Sequence, residues 1–225
     1  MAIDSNAAIE VTAFKWVPPG AQGMVKDLRV RWALGEAGLD YRVRLIGLDR
    51  PAGYRQDQPF DQVPCLSDGT VRIFESGAIL QYIGEKSEAL LPTDPQGKYR
   101  AIQWTYAAVN SVEPFVQHRV LLDSVWAGEA WAAPAKPTAD QLSRLRLGQL
   151  AEWLGDKQWL EGERFTIGDL MMITVLRLAD RGRLIEPGSN LAAYLARGEA
   201  RPAFQQALSD QLATFREHQP EGVAA

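Results

Sequence analysis

From Asp61 to Glu85 the chain reads DQVPCLSDGTVRIFESGAILQYIGE, and its period changes within that run. "VPCL" and "VRIF" are short apolar stretches separated by Ser67-Asp68-Gly69-Thr70. An Asp-Gly between two such stretches is the strongest local hairpin signal, because the favoured turn needs positive φ at both central positions. After Phe74 the apolar positions are Ala78, Ile79, Tyr82 and Ile83, which is helical spacing. A strand pair that passes straight into a helix predicts a ββα unit.

The residues before it predict the complement. Ile9 to Trp16, IEVTAFKW, is apolar and β-prone, and VPPGAQG is a loop by its Pro and Gly content. From Met24 onward Val25, Leu28, Trp32 and Ala33 recur three to four apart, until Gly35 and Gly38 end the helix before the strand in LDYRVRLIGL. Residues 1–87 therefore read as βαβ followed by ββα. KSEALLPTDPQGK, with two prolines and a glycine, predicts a linker over 88–97. Beyond Tyr99 the periodicity is helical almost throughout, with a loop at Gly128 to Pro137 between two long helices. The expected fold is an α/β domain joined to an all-α domain over 98–225, ending in a frayed QPEGVAA.

Charge and cysteine content narrow the function. The net charge is -4 and Lys and Arg are scattered, so the chain lacks the basic footprint that phosphate backbones require, and no nucleic-acid partner is expected. The opening MAIDSNAAIEV has neither a basic nor a long apolar leader region, and no apolar run approaches bilayer length; a cytoplasmic protein without a membrane partner is expected. Cys65 is the only cysteine and the histidines are His118 and His218, which rules out an intrachain disulfide or thiolate cluster and argues against a metal site. Inside its short apolar strand Cys65 reads as a small buried hydrophobe rather than a redox group. Nothing selects His118 as a base.

Two dipeptides carry the chemistry. Val63-Pro64 begins a strand with a proline, tolerated at a sheet edge or where a turn requires the cis form. Glu75-Ser76 stands where strand passes to helix, with Ser76 expected at the N-cap, where exposed amides and the dipole favour an anion. Taken alone, Ser76 equally well caps its own helix and Glu75 equally well is a solvated charge. QVPCL, the Asp-Gly hairpin and FESGAILQYI at this spacing, followed by a helical half, resemble the cytosolic glutathione transferase family over nearly the whole chain. That resemblance implies a thioredoxin-like N-terminal domain, a homodimer, and glutathione as co-substrate. It implies that Ser76 and the first helical amides hold the γ-glutamyl carboxylate, that Glu75 pairs with the α-ammonium, and that Val63, ahead of cis Pro64, meets the cysteinyl backbone. Gln62 would reach the far end of the tripeptide. The thiolate would attack a small hydrophobic electrophile, or reduce a peroxide or mixed disulfide, in a pocket involving Trp16, Tyr106 and Asn110. In the second half, Thr166 and Asp169 resemble the family's capping box, with Phe165 and Leu170 placed as a hydrophobic staple.

The chain departs from the family at the thiolate. Most members stabilise it with a Tyr at the end of the first strand or a Ser or Cys at the start of the first helix, yet from Phe14 to Leu39 this sequence has no Tyr, Ser, Thr or Cys. One reading gives the role to amides and the dipole at the start of the first helix, helped by Gln22 or Lys26. Gln22 and Lys26 are equally ordinary as solvated loop and helix-surface residues. Tyr106 or Asn110 reaching across the cleft is an alternative. Another reading is a non-catalytic binding or regulatory module on the same fold.

Overall fold

The structure is a computed structural model that describes residues 3–222; the end of the expected frayed tail, 223–225, lies outside the described residues. The chain forms two compact units, residues 1–90 with 201–225, and residues 91–200. The first is the expected α/β unit with one addition. Strands β1 (Ile9–Phe14), β2 (Tyr41–Ile46), β3 (Cys65–Asp68) and β4 (Val71–Phe74) form one sheet in the order β2-β1-β3-β4. Helix α1 (Asp27–Ala37) links β1 to its parallel neighbour β2, and α2 (Ser76–Glu85) follows β4. The sheet is mixed, since β3 runs antiparallel to both β1 and β4. Its hairpin turns at Gly69, φ +60°, where a side chain would be strained. Helix α1 runs through Gly35 and stops at Gly38, whose left-handed φ of +75° lets the Leu39 amide reach back to the Leu34 carbonyl.

The addition is the last helix, α8 (Pro202–Glu217), which belongs by packing to this unit, whereas the sequence reading groups it with the helical half. It lies along α1. Phe204 meets Trp32 edge to face at 4.9 Å, and a Cβ on Gly35 would come within 3.2 Å of Ala203 Cβ. Arg201 grips Glu36 with two bonds, 2.6 and 2.7 Å. The apolar positions of α1 face two ways, and sequence periodicity cannot say which element covers the second face.

The second unit is helical: α3 (Pro95–Ala107), α4 (Glu113–Leu121), α5 (Ala132–Leu154), α6 (Ile167–Arg181) and α7 (Asn190–Glu199). Asp94 caps α3 by accepting from the Gly97 amide, 2.7 Å, so the polar linker ends in a helix start. The expected single helix after Tyr99 is divided by a π turn over Ala108–Val112. The expected loop up to Pro137 ends earlier, because α5 begins at Ala132 and takes in Pro134 and Pro137. Pro134 falls in the first turn, where no amide donor is needed; Pro137 removes one ladder bond.

Helix α6 is the centre of this unit, buried along almost its whole length. Its Leu, Ile, Met and Val side chains each contribute roughly 1.5–3 kcal/mol by leaving water. Gly198 of α7 lets it pack close, since a Cβ there would fall 2.3 Å from Ile173 Cδ1. The capping box is present: Thr166 N–H donates to Asp169 at 2.9 Å and Gly168 N–H to the Thr166 hydroxyl at 3.2 Å. Asp169 is fully buried and also accepts from Leu160 N–H, 2.8 Å, and the Tyr194 hydroxyl, 2.9 Å, tying the approach loop, α6 and α7 together. Asp169→Ala leaves several buried donors without an acceptor, each costing about 1–3 kcal/mol, whereas Thr166→Ala should cost about 1 kcal/mol. Thermal melts should show a drop several-fold larger for Asp169→Ala; equal drops would mean Asp169 acts only as a local cap.

Candidate functional site

Three chain segments meet at one end of the first unit's sheet because of the strand directions. The register pairs Val11 with Leu66 and Cys65 with Phe74. Continuing both pairings outward sets Val63-Pro64 between the end of β1 and the start of α2, beside Glu75 and Ser76. The Val63-Pro64 peptide is cis. Pro64 has no N–H to offer a neighbouring strand, so the sheet stops there and Val63 stands just beyond it. Val63 is buried with Ile46, Tyr54 and Cys65, and Phe14, Val25 and Phe74 pack against the same cluster.

The start of α2 differs from the expected cap. Glu75 occupies the N-cap position and Ser76 is the first helical residue, without a side-chain capping bond. The Ser76 hydroxyl has a partner that the sequence does not reveal: Arg29, buried in α1, donates from Nη1 to Ser76 Oγ at 3.1 Å. The hydroxyl is held toward α1 instead of over its own helix start. Glu75 is exposed and its backbone sits at φ +68°, ψ 115°, a conformation that L-residues with side chains rarely adopt. Such a residue costs of order 1–3 kcal/mol, and persists where the surroundings over-determine it. The first amides of α2, unpaired within the helix, face the same end as its exposed carboxylate.

The loop ahead of Val63 is braced by side chains. The Tyr54 hydroxyl donates to the Gln62 carbonyl at 2.6 Å, Arg50 Nε donates to the Asp61 carbonyl at 2.7 Å, and Arg55 pairs with the Asp61 carboxylate at 2.6 Å. Asp61 is itself in a left-handed conformation, φ +58°. Tyr54 and Arg50 were not singled out by the sequence, whose polar, turn-rich connection offers no periodicity to mark them. The side chain of Gln62 is exposed. Cys65 is buried, with its sulfur 3.5 Å from the Tyr54 hydroxyl. Burial pushes its thiol pKa up, against the smaller effect of the Tyr54 bond, and burial raises the Tyr54 phenol as well. The thiol is therefore kept protonated at neutral pH and is a poor nucleophile.

The loop between β1 and α1 holds three of the expected residues. Gln22 donates from Nε2 to the Val17 carbonyl at 3.1 Å, so this amide braces its own loop. Lys26 is exposed at the N-cap of α1, an unusual place for a cation beside the positive end of a helix. Trp16 is half-buried in this loop, and its indole nitrogen is buried without a hydrogen-bond partner among the described residues. Tyr106 and Asn110 belong to the second unit: Tyr106 is exposed on α3 and Asn110 is exposed within the π turn, a distortion frequent at functional sites. His118 is exposed on α4, with its ring near Trp126. Among the described residues no group of three or more His, Cys, Asp or Glu could hold a metal ion, and no helix is long and apolar enough to cross a membrane.

The chain is similar to known proteins. The family model described as Glutathione S-transferase, N-terminal domain, matches residues 21–85, and the corresponding C-terminal domain model matches residues 118–202. The Glutathione S-transferase GstA of Escherichia coli O157:H7 is 30% identical over 203 residues, covering 85% of this chain and 94% of that protein. The Disulfide-bond oxidoreductase YfcG of Escherichia coli (strain K12) is 27% identical, covering 78% of this chain and 86% of its own. Among solved structures, a glutathione transferase from Pseudomonas putida, crystallised with one glutathione disulfide per subunit, superposes with a TM-score of 0.78 at 23% identity, over 91% of this chain and 92% of that one.

Two outcomes follow from this geometry. Glu75→Gly removes the positive-φ penalty and adds back about 0.5–1 kcal/mol of backbone entropy, so its melting temperature should be equal to or above that of the parent; a clear fall would mean that the Glu75 side chain, rather than its backbone, stabilises the fold. Iodoacetamide at neutral pH should label Cys65 at least about tenfold more slowly in the folded protein than in denaturant, as a buried, protonated thiol requires. Equal rates would contradict its burial.

Proposed function

The chain belongs to the glutathione S-transferase family, and we propose that it binds glutathione against Val63-Pro64 and Glu75-Ser76 and presents the thiolate for reaction. The observation that carries this reading is the convergence of the cis Val63-Pro64 peptide with the start of α2. Val63, at the point where the sheet stops, offers backbone groups for strand-like pairing with the cysteinyl residue. The first amides of α2 and the Ser76 hydroxyl, the latter steadied by Arg29, suit the γ-glutamyl carboxylate. The exposed Glu75 carboxylate suits the adjacent α-ammonium, and the Gln62 side chain the glycyl end. The twisted backbone of Glu75 is the means by which one residue turns its carboxylate toward the ligand while the next starts a helix.

Thiolate stabilisation falls to the start of α1. With no hydroxyl or thiol from Phe14 to Leu39, the groups available are backbone amides, the positive end of the helix and the Lys26 ammonium. Gln22 holds the loop in shape through Val17. Trp16 would line the pocket for a small hydrophobic electrophile, and the protein would act as a homodimer in the cytoplasm. In the transfer reaction the sulfur lone pair forms a C–S bond as the leaving group departs with its electrons. A second reading, disulfide reduction, is supported by the likeness to YfcG. There the thiolate attacks one sulfur of a mixed disulfide, the S–S bond breaks, and the other sulfur leaves as a thiolate. Cys65 takes no part, being buried and protonated.

Ultraviolet titration of the bound thiolate, with S-methyl glutathione as the blank, tests the proposal. A bound-thiol pKa well below the roughly 8.5 of free cysteine is expected. A value near the free one, with glutathione still bound, would leave a ligand-binding module without catalysis. Ser76→Ala should weaken retention on immobilised glutathione by about tenfold, near 1.4 kcal/mol, in a folded protein. Unchanged retention would remove Ser76 from the site.

A further inference from the structure

Along α1, from Arg31 about 6 Å beyond its start to Glu36 about 14 Å beyond it, lies a cavity of about 450 Å³ between α1, β2 and α8. Its size falls within the ~300–1,000 Å³ usual for small-molecule sites. The polar lining is Arg31, Glu36, Tyr41, Gln206 and Asp210, set around an apolar floor that includes Ala203. All of these residues belong to the first unit.

The charges in this wall do not cancel locally. Arg31 is 1% exposed and donates through Nε to Asp27, 2.7 Å, which also accepts from Gln211 Nε2 at 2.7 Å. Glu36 is taken up by Arg201 and by the Trp32 indole. Two things remain. The Arg31 Nη1 group is buried without a hydrogen-bond partner among the described residues, although the Tyr41 phenol lies against the guanidinium. Asp210 accepts from the Gln206 amide at 2.8 Å but has no cation in ion-pair contact among the described residues. Buried donors are nearly always paired, and a partly buried carboxylate without a cation is a strong acceptor. Tyr41 stands between the two, near enough to feel both charges.

We propose that this cavity is a binding site for a small zwitterion, an α-amino acid with an unbranched aliphatic side chain. Its carboxylate accepts from Arg31 Nη1 and the Tyr41 hydroxyl, its ammonium donates to Asp210, and its side chain lies on the apolar floor. The site is separate from the one at the helix starts and does not rest on the glutathione reading.

Calorimetric titration of the full chain with L-norleucine, hexanoate and pentylamine tests it. Norleucine should bind saturably and at least about tenfold more tightly than either analogue, each of which lacks one charge. Asp210→Asn should lower norleucine affinity about tenfold, leave hexanoate unchanged and leave retention on immobilised glutathione intact. Tyr41→Phe should weaken norleucine and hexanoate but not pentylamine, and keeps the proposal testable if Asp210→Asn fails to fold. Absent binding, equal binding of all three probes, or norleucine binding that responds to Ser76→Ala and not to Asp210 or Tyr41 substitution would each overturn the proposal.

Discussion

The central strand β1 has one parallel and one antiparallel neighbour, and the site is a consequence of that arrangement. A parallel partner requires a crossover, so α1 must start at the end where β1 finishes. An antiparallel partner must begin at that same end, which sets Pro64 there. The hairpin at Gly69 then reverses the chain, and β4 delivers Glu75 and the start of α2 to the same place. Two helix starts and a strand with no further partner are gathered by connectivity alone. The Arg29 to Ser76 bond joins the two helix starts directly.

Much of this was legible because it depends on local chemistry. An Asp-Gly turn, a proline opening a strand and a change of period after Phe74 are decided by neighbouring residues, and each lies where the sequence places it. What was missed depends on partners far along the chain. Ser76 reads as an N-cap from its neighbours, but the cap position falls at Glu75 and Arg29, 47 residues earlier, holds the Ser76 hydroxyl. The loop before Val63 reads as polar and irregular, yet Tyr54 and Arg50 fix its carbonyls. Asp27, Arg31 and Gln211 are all buried, a combination no hydropathy pattern suggests. Pro134 and Pro137 look like loop residues, but a helix start tolerates one and absorbs the loss of one bond at the other.

The two halves of the chain use buried charge in different ways. Asp169 in the second unit is surrounded by donors from three segments and serves as a fixed junction. The Asp27–Arg31 pair in the first unit is joined by Gln211 of the last helix, and so depends on whether α8 has docked on α1. Pairs of this kind add little net stability against apolar packing, because desolvation offsets their attraction, but removing one partner is strongly destabilising.

That docking gives the fold a schedule. The first unit is interrupted in sequence: its sheet is complete by Phe74, but the helix that covers the outer face of α1 is more than a hundred residues away. During synthesis at ~5–20 residues per second, the stretch from 91 to 217 takes roughly 6–25 s to emerge. Throughout that interval Trp32, Arg31 and Asp27 stand uncovered, an ion pair and an indole facing water, while the intervening helices have time to assemble around α6. The last helix therefore closes the unit that was begun first, and the chain's oldest residues are among the last to reach their final surroundings.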